Sequence, residues 1–419
     1  MKNGKGFTLV ELLAVIVVLA IVLIIAVPGV LSIINKAKNS AYDRQIDMIK
    51  EAARLYVTEK GETLNWQNET VYVLESQLKE NGNLESKIID PRNKKELTDF
   101  AIKVVRVSTK KTTYDVILDY SDQGATSASC FTFDQANHEI TGYDVNCPKD
   151  LHIPSKINGV EVYSIKTKTF STKKLKTLIL PKTLKQINEY AFYANHLTQI
   201  TIPKSVTYIG YAAFNLNQLP DDQAFIYKRT SDGNEDKSYV VSYGGSNQNV
   251  VIPNQVTTIG HNSFQYCNIQ SVVMPEGVKT ILPAAFHSNV LTSLNIPSSV
   301  TSIGAYAFND NQLVAEDAFI FARNNDGTED QSILIGYGGA ASSLTIPSTV
   351  TRIKTNAFSD IGHLTQVIIP NTVQTLENKL FTASKNVQVI VQGKTSINSF
   401  LDTSDDPWGE PTVTVTYQP

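Results

Sequence analysis

The sequence predicts an α+β chain: a long N-terminal helix carrying a small antiparallel sheet, followed by a solenoid of stacked coils with β-hairpin inserts. Three observations carry this reading. An apolar run from Phe7 to Val27 continues at helical spacing to Lys60, a tripeptide ending in proline recurs from Leu151 onward, and two inserts within that repeat match each other.

The run "FTLVELLAVIVVLAIVLIIAV" is 21 residues long with Glu11 as its only ionisable side chain. As a helix it would extend roughly 31 Å, the thickness of a bilayer core. A carboxylate at that depth is costly and calls for a positive partner. A secretory signal peptide has a shorter apolar core and a small-residue cleavage site. Here the run is longer and "AVPGVLS" offers no such site. A plain anchor helix would leave Glu11 unexplained. Pro28 and Gly29 follow, where the helix can kink. Ile34, Ala37, Ala41, Ile49, Ala52 and Tyr56 then recur on one stripe before Gly61 ends the helix.

The order of a short basic leader, Gly6, Phe7 and then Glu11 resembles the type IV pilins and pseudopilins, whose precursors carry G-F-T-L-x-E before an apolar helix. The resemblance implies a leader of residues 1–6 removed after Gly6 by prepilin peptidase, N-methylation of Phe7, and a membrane span over 7–27. It also implies that Glu11 pairs with the free amine of a neighbouring pilin subunit, inside an apolar filament where an unmade charge pair would be costly.

Residues 61–150 read as a pilin-like head. "VLESQLKENG" is a short helix and "DPRNKK" a turn. "FAIKVVRVSTKKTTYDVILDYS" forms two strands, and "SCFTF" and "EITGYDV" form a further pair around "DQANH". Cys130 and Cys147 bracket that last hairpin and would form a disulfide in an exported chain. Cys267 makes the count odd.

From Leu151 to about 395 the sequence is periodic. Prolines at 181, 203, 253, 275, 297, 347 and 370 are spaced 22, 50, 22, 22, 50 and 23 apart. The unit is L-T-x-I-x-I-P-x-x-V-T-x-I-G-x-x-A-F-x-x-N, and no unit of this length buries Leu197, Ile200, Ile202, Val206, Ile209 and Phe214 alone, so neighbouring coils must stack. The pattern resembles BspA-like leucine-rich repeats. Asn195, Asn217, Cys267, Asn289 and Asn311 occupy its ladder position, which makes Cys267 a buried structural residue. His196, His261 and His287 fall at different registers and form no metal column.

Each spacing of 50 holds an insert, "DDQAFIYKRTSDGNEDKSYVVSYGG" and "AEDAFIFARNNDGTEDQSILIGYGG", read as hairpins with Asp-Gly turns that protrude from one edge. Calcium binding there lacks the full D-x-D-x-D-G-x5-E loop, so solvated turns are expected. Residues 396–419 depart from the repeat and should cap the solenoid, with Trp408 as anchor.

Two candidate binding surfaces follow. One is an uncharged column on successive strands, Thr177 and Ile179, Gln199 and Thr201, Ser271 and Val273, Ser293 and Asn295, and Gln366 and Ile368, suited to a protein or glycan ligand. The other is a cluster of seven lysines, with Lys173, Lys174 and Lys176 at its centre, that no acid interrupts between Val162 and Asn188. DNA, an anionic wall polymer or an acidic neighbour would suit it. The net charge of −3 argues against general nucleic-acid binding. No phosphate loop, nucleophile elbow or paired histidine ligands occur, so neither an enzyme nor a cofactor is expected. The reading is a minor or tip subunit of a type IV filament displaying the repeats on the cell surface as an adhesive module. The alternatives are a pseudopilin of a DNA-uptake or secretion apparatus and a membrane-anchored surface protein that never polymerises.

Overall fold

A computed structural model describes residues 9–419, apart from 65, 67–68, 95, 98–99, 109–110 and 118–124; for 9–29, 31–32 and 62 it describes the backbone alone. Gly6 and Phe7 therefore lie outside the described residues, as does the side chain of Glu11. The chain divides into two compact units, Met1–Gly124 and Ala125–Pro419.

The first unit is built on helix α1, Leu9–Lys60, whose 52 residues pass through Pro28 and Gly29 as one assigned helix. At 1.5 Å per residue it is roughly 78 Å long. Strand β1, Thr70–Leu74, leads into helix α2, Glu75–Glu80. Strands β2, Ala101–Ser108, and β3, Lys111–Ile117, complete a three-stranded antiparallel sheet in the order β1-β2-β3. Val73 pairs with Ile102 and Ile102 with Val116, which places alternate residues on the face covering α1. Ile49, Ala52, Ala53 and Tyr56 of α1 are buried there against Leu78, Phe100 and Val104. The predicted stripe holds only in its second half: Ile34 and Ala37 are exposed, because the head covers the helix from Tyr42 onward. Arg92 closes this contact. Its guanidinium stacks 3.2 Å from the Tyr42 ring centroid and grips buried Asp90 with Nε at 3.0 Å and Nη2 at 2.8 Å. Those hydrogen bonds hold the Asp90 carboxyl below the usual carboxylate range.

The second unit is a β-solenoid in three modules. Each is a five-stranded sheet formed by one antiparallel hairpin followed by three parallel two-residue strands from successive coils. The hairpins are Phe131–Asp134 with Glu139–Tyr143, Phe225–Arg229 with Glu235–Tyr243, and Phe319–Arg323 with Glu329–Tyr337. Ile140, Val240 and Leu334 open the parallel ladders, pairing with Ile165, Ile259 and Ile353. This moves a boundary: the 131–143 hairpin, expected in the pilin head, is the first rung of the solenoid, because Ile140 and Tyr143 fill the positions of Val240 and Tyr243.

The repeat's phenylalanines stack along the axis. Phe170, Phe192 and Phe214 lie 5.1 and 5.3 Å apart, Phe264, Phe286 and Phe308 lie 4.9 and 5.3 Å apart, and Phe358 and Phe381 lie 5.2 Å apart. The first two stacks end at a hairpin coil, where Tyr243 or Tyr337 replaces phenylalanine, the third ends at Trp408, and the buried core forms three clusters.

Asparagines at the ladder position tie coil to coil. Asn217 Oδ1 accepts from the Leu197 amide at 3.1 Å, while its Nδ2 donates to the carbonyls of Phe192 and Phe214 at 3.0 and 2.8 Å. Asn195, Asn289 and Asn311 repeat the pattern. In the first coil after each insert the residue is instead Cys267 or Ile361, and Cys267 Sγ reaches the Tyr243 carbonyl of the hairpin coil before it at 3.7 Å. The terminal segment is also more regular than expected. Thr414–Gln418 pairs in parallel with Gln388–Gln392, so the cap is a last coil, with Trp408 packed 6.4 Å from Phe381.

Candidate functional site

One face of the solenoid carries a second parallel ladder, the uncharged column of the sequence. It is not continuous. Asp150–His152 pairs with Thr177–Ile179, Asn249–Val251 with Ser271–Val273, and Ser343–Thr345 with Gln366–Ile369, which in turn pairs with Gln388–Gln392. Ser271 thus sits on a strand, its hydroxyl donating to Asn249 Oδ1 at 2.7 Å. Gln199, Thr201, Ser293 and Asn295 do not: they lie in extended segments that belong to no sheet, so the expected column is broken twice.

The cause is the insert. A hairpin coil gives a nine-residue strand to the opposite ladder, but on this face it offers a turn, Pro220–Gln223 or Val314–Asp317, where a rung would stand. Side chains stand in for the absent strand. Gln223 Oε1 accepts from the Ile200 amide at 3.3 Å, and Asp317 Oδ2 from the Leu294 amide at 3.1 Å. The inward side chains beside the gap lose cover. Leu178 and Leu180 are 7% exposed, whereas Ile200 and Ile202, their counterparts one repeat later, are only half-buried.

At the first gap this leaves a groove of ≈ 580 Å³. Ile200 and Ile202 form one wall and Asn249, Val250 and Val251 the other, over Phe225 and Tyr243. Asp221, Asp222, Glu235, Arg229 and Lys237 supply its charges. Arg229 Nη1 donates to the Gly233 carbonyl at 3.0 Å and its Nη2 lies 3.6 Å from Glu235. Val251, on the open edge, is 66% exposed. Nothing in the repeat consensus marks this groove; its only sequence trace is the acidic turn that precedes each hairpin.

The hairpin tips do not project freely. Gly233 and Gly327, at φ +76° and +80°, lie so close to the carbonyls of Lys204 and Ser298 that a Cβ would overlap them. The Asp232 and Asp326 carboxylates are taken up by Thr230, Asn234 and Thr328 within the turns, which lowers both pKa values. Among the described residues no group of side chains could hold a metal ion.

The lysines spread over consecutive turns. Lys174 and Lys176 are exposed, Lys173 is half-buried, and Lys168 and Lys185 lie over the rings of Tyr190 and Tyr163 at 5.4 and 5.2 Å. One cluster escaped the sequence. Buried His287 places Nε2 2.9 Å from the Asp360 carboxylate and Nδ1 3.1 Å from the Asn309 carbonyl. Ser288 Oγ lies 3.1 Å from the same Nε2 and donates to Asp310 at 2.8 Å. Serine and aspartate share one ring nitrogen, so the imidazole cannot relay a proton from one to the other as in a catalytic triad. Asp360 is 73 residues from His287 and meets it across the third hairpin's coil, a proximity that linear spacing hides.

Cys130 and Cys147 are joined by a disulfide, with Cα atoms 5.9 Å apart. Cys267 is a buried free thiol, pushed up to about 12 by desolvation.

Comparison with known families places this architecture. The BspA type leucine-rich-repeat region matches in six copies over residues 146–223, 237–320 and 337–402, more than half of the chain. The chain belongs to the BspA-type leucine-rich-repeat family. A prokaryotic N-terminal methylation motif also matches, over residues 1–27. No curated protein matches the sequence. Among solved structures, a leucine-rich-repeat protein of Eubacterium ventriosum is 16% identical, with 84% of this chain and 96% of that one covered and a TM-score of 0.39. A leucine-rich cell surface protein of Faecalibacterium prausnitzii is 16% identical over 75% and 93%, TM-score 0.30. The pneumococcal vaccine antigen PcpA is 14% identical over 80% and 89%, TM-score 0.31.

Proposed function

We propose that this BspA-type repeat protein is a cell-surface recognition module carried on a pilin-type stalk, as a minor or tip subunit of a type IV filament. The observation that carries the reading is the helix. It begins inside the methylation motif, and ahead of Tyr42, the first of its described side chains packed in the head, Val30, Ile33 and Ile34 are 54%, 71% and 43% exposed. Apolar residues on an uncovered helix suit burial among other pilin subunits or in a membrane. Among the described residues no helix is long and apolar enough to cross a membrane. The proposed span, 7–27, falls on residues whose side chains are not among them.

In this reading prepilin peptidase cleaves after Gly6, Phe7 is methylated, and Glu11 pairs with the terminal amine of a neighbouring subunit. The repeats then meet a protein or glycan ligand. The lysines favour DNA less, because they occupy separate turns, two of them above tyrosine rings. The test is the intact mass of the chain from a sheared surface fraction of its native cells, with and without residues 125–419. A chain starting at methylated Phe7 in filaments, with attachment lost on deletion while filaments persist, is expected. A chain starting at Met1 and confined to membranes would refute filament assembly, and unchanged attachment would refute recognition by the repeats.

A further inference from the structure

We infer that the gap between residues 199–202 and 249–251 receives an extended, basic peptide segment of a partner protein as an added β-strand. The inference rests on the reading of the solenoid as a recognition module and names what it recognises.

The gap is one rung wide. On the opposite ladder Val240 of the second hairpin stands next before Ile259, so one coil separates the 209 coil from the 259 coil, and on this face that coil supplies only a turn. Adjacent rungs lie ~4.8 Å apart, so the flanking segments stand roughly 9.6 Å apart with a single strand's space between them. Asn249–Val251 is paired on one side only and offers an open parallel edge. On the other side the Ile200 amide is held by a side-chain oxygen, which a strand's carbonyl can replace.

Side chains set the occupant's pattern. Ile200, Ile202 and Phe225 are half-buried and apolar, so residues pointing inward should be apolar and alternate with polar ones pointing out. Three carboxylates, Asp221, Asp222 and Glu235, line the groove against two cations, of which Arg229 is engaged with the hairpin turn and Glu235. The second gap keeps the character, with Glu316 and Asp317 in the turn and Leu294 and Ile296 half-buried. There Gln331 stands where Lys237 does, which removes a positive charge. Both gaps thus favour a lysine or arginine on the incoming strand. They lie four rungs apart, about 19 Å, within reach of one partner bearing two such segments.

The test is calorimetry of the full chain in detergent micelles with the blocked peptide Lys-Val-Thr-Val-Thr-Lys, its Glu-for-Lys counterpart, and a version N-methylated at both valines. The lysine peptide should bind, the glutamate peptide roughly tenfold more weakly, and the N-methylated one not at all, since ladder donors are lost. Asp221→Lys with Asp222→Lys should reverse the charge preference, and hydrogen exchange should slow at residues 249–251. Equal affinities for the two charged peptides, survival of binding after N-methylation, protection elsewhere, or no binding up to about 1 mM would each overturn the inference. If attachment were still lost on deletion of residues 125–419, recognition by the repeats would stand and only the gap would be refuted.

Discussion

Asn217→Ala tests whether the asparagine ladder, more than the apolar core, locks one coil to the next. The side chain is 4% exposed and makes three short hydrogen bonds, to the Leu197 amide and to the carbonyls of Phe192 and Phe214. Stripping the buried Leu197 amide of its acceptor costs about 1–3 kcal/mol, and each carbonyl loses about 0.5–1.5 kcal/mol of net hydrogen bonding. The contributions overlap, so a local loss of about 3 kcal/mol is expected, on the order of a hundredfold in the opening equilibrium. A solenoid with three core clusters has no single unfolding free energy, so the assay must be local. Hydrogen exchange should accelerate on that order across 192–217 and stay unchanged across 353–391. A change below about fivefold, or equal acceleration in all three modules, would refute the reasoning.

Gly233→Ala and Gly327→Ala should each detach a hairpin tip, because left-handed backbone and a carbonyl overlap act together; circular dichroism and proteolysis at 230–236 and 324–330 report it. Reducing the Cys130–Cys147 bridge, with a separation of 17 residues, should cost the first module about 3 kcal/mol, read as earlier urea unfolding of 131–217 with the third module unmoved. Asp360 is hydrogen-bonded to His287, which depresses its pKa. The stability it contributes is therefore present above the ordinary carboxylate value near ~3.9 and lost as pH falls through the lower folded value. Exchange at 286–289 should accelerate over that acid window in the native chain and show no such step in Asp360→Asn.

The repeat was legible because it is written in volume: the column of phenylalanines and the apolar residues one and three places before each proline recur with the 22-residue unit, and stacking is the one way such units bury them. Hydrogen-bond bookkeeping was legible in part. Asparagine at the ladder position announces a coil behind it, yet the replacements at 267 and 361 gain meaning only once a hairpin is known to precede them. The first hairpin reads from sequence as part of the preceding head because it lacks the long insert that marks the other two. What it shares with them, Ile140 and Tyr143, is two residues. His287 and Asp360 were invisible as a pair, since spacing within coils says nothing of which turns meet when a hairpin coil omits its own.

That omission links the stability of the solenoid to its binding surface. A hairpin coil contributes a long strand to one ladder and a turn to the other, so the same insertion ends a phenylalanine stack, removes an asparagine tie and leaves one rung empty. Cover is lost where Ile200, Ile202, Leu294 and Ile296 become half-buried, a position at which burying apolar surface still stabilises by roughly 25 cal/mol per Å². The register of 94 residues repeats all of these features together, from Ile200 and Gln223 to Leu294 and Asp317. Drift would have no reason to preserve a side-chain oxygen on the same amide in both copies. A solenoid built for stability alone would close both gaps with a consensus coil. Replacing residues 219–245 by one 22-residue unit should therefore rigidify the stack and join the segment at 199–201 and the strand at 249–251 into one ladder. The same replacement should abolish whatever binding the first gap supports.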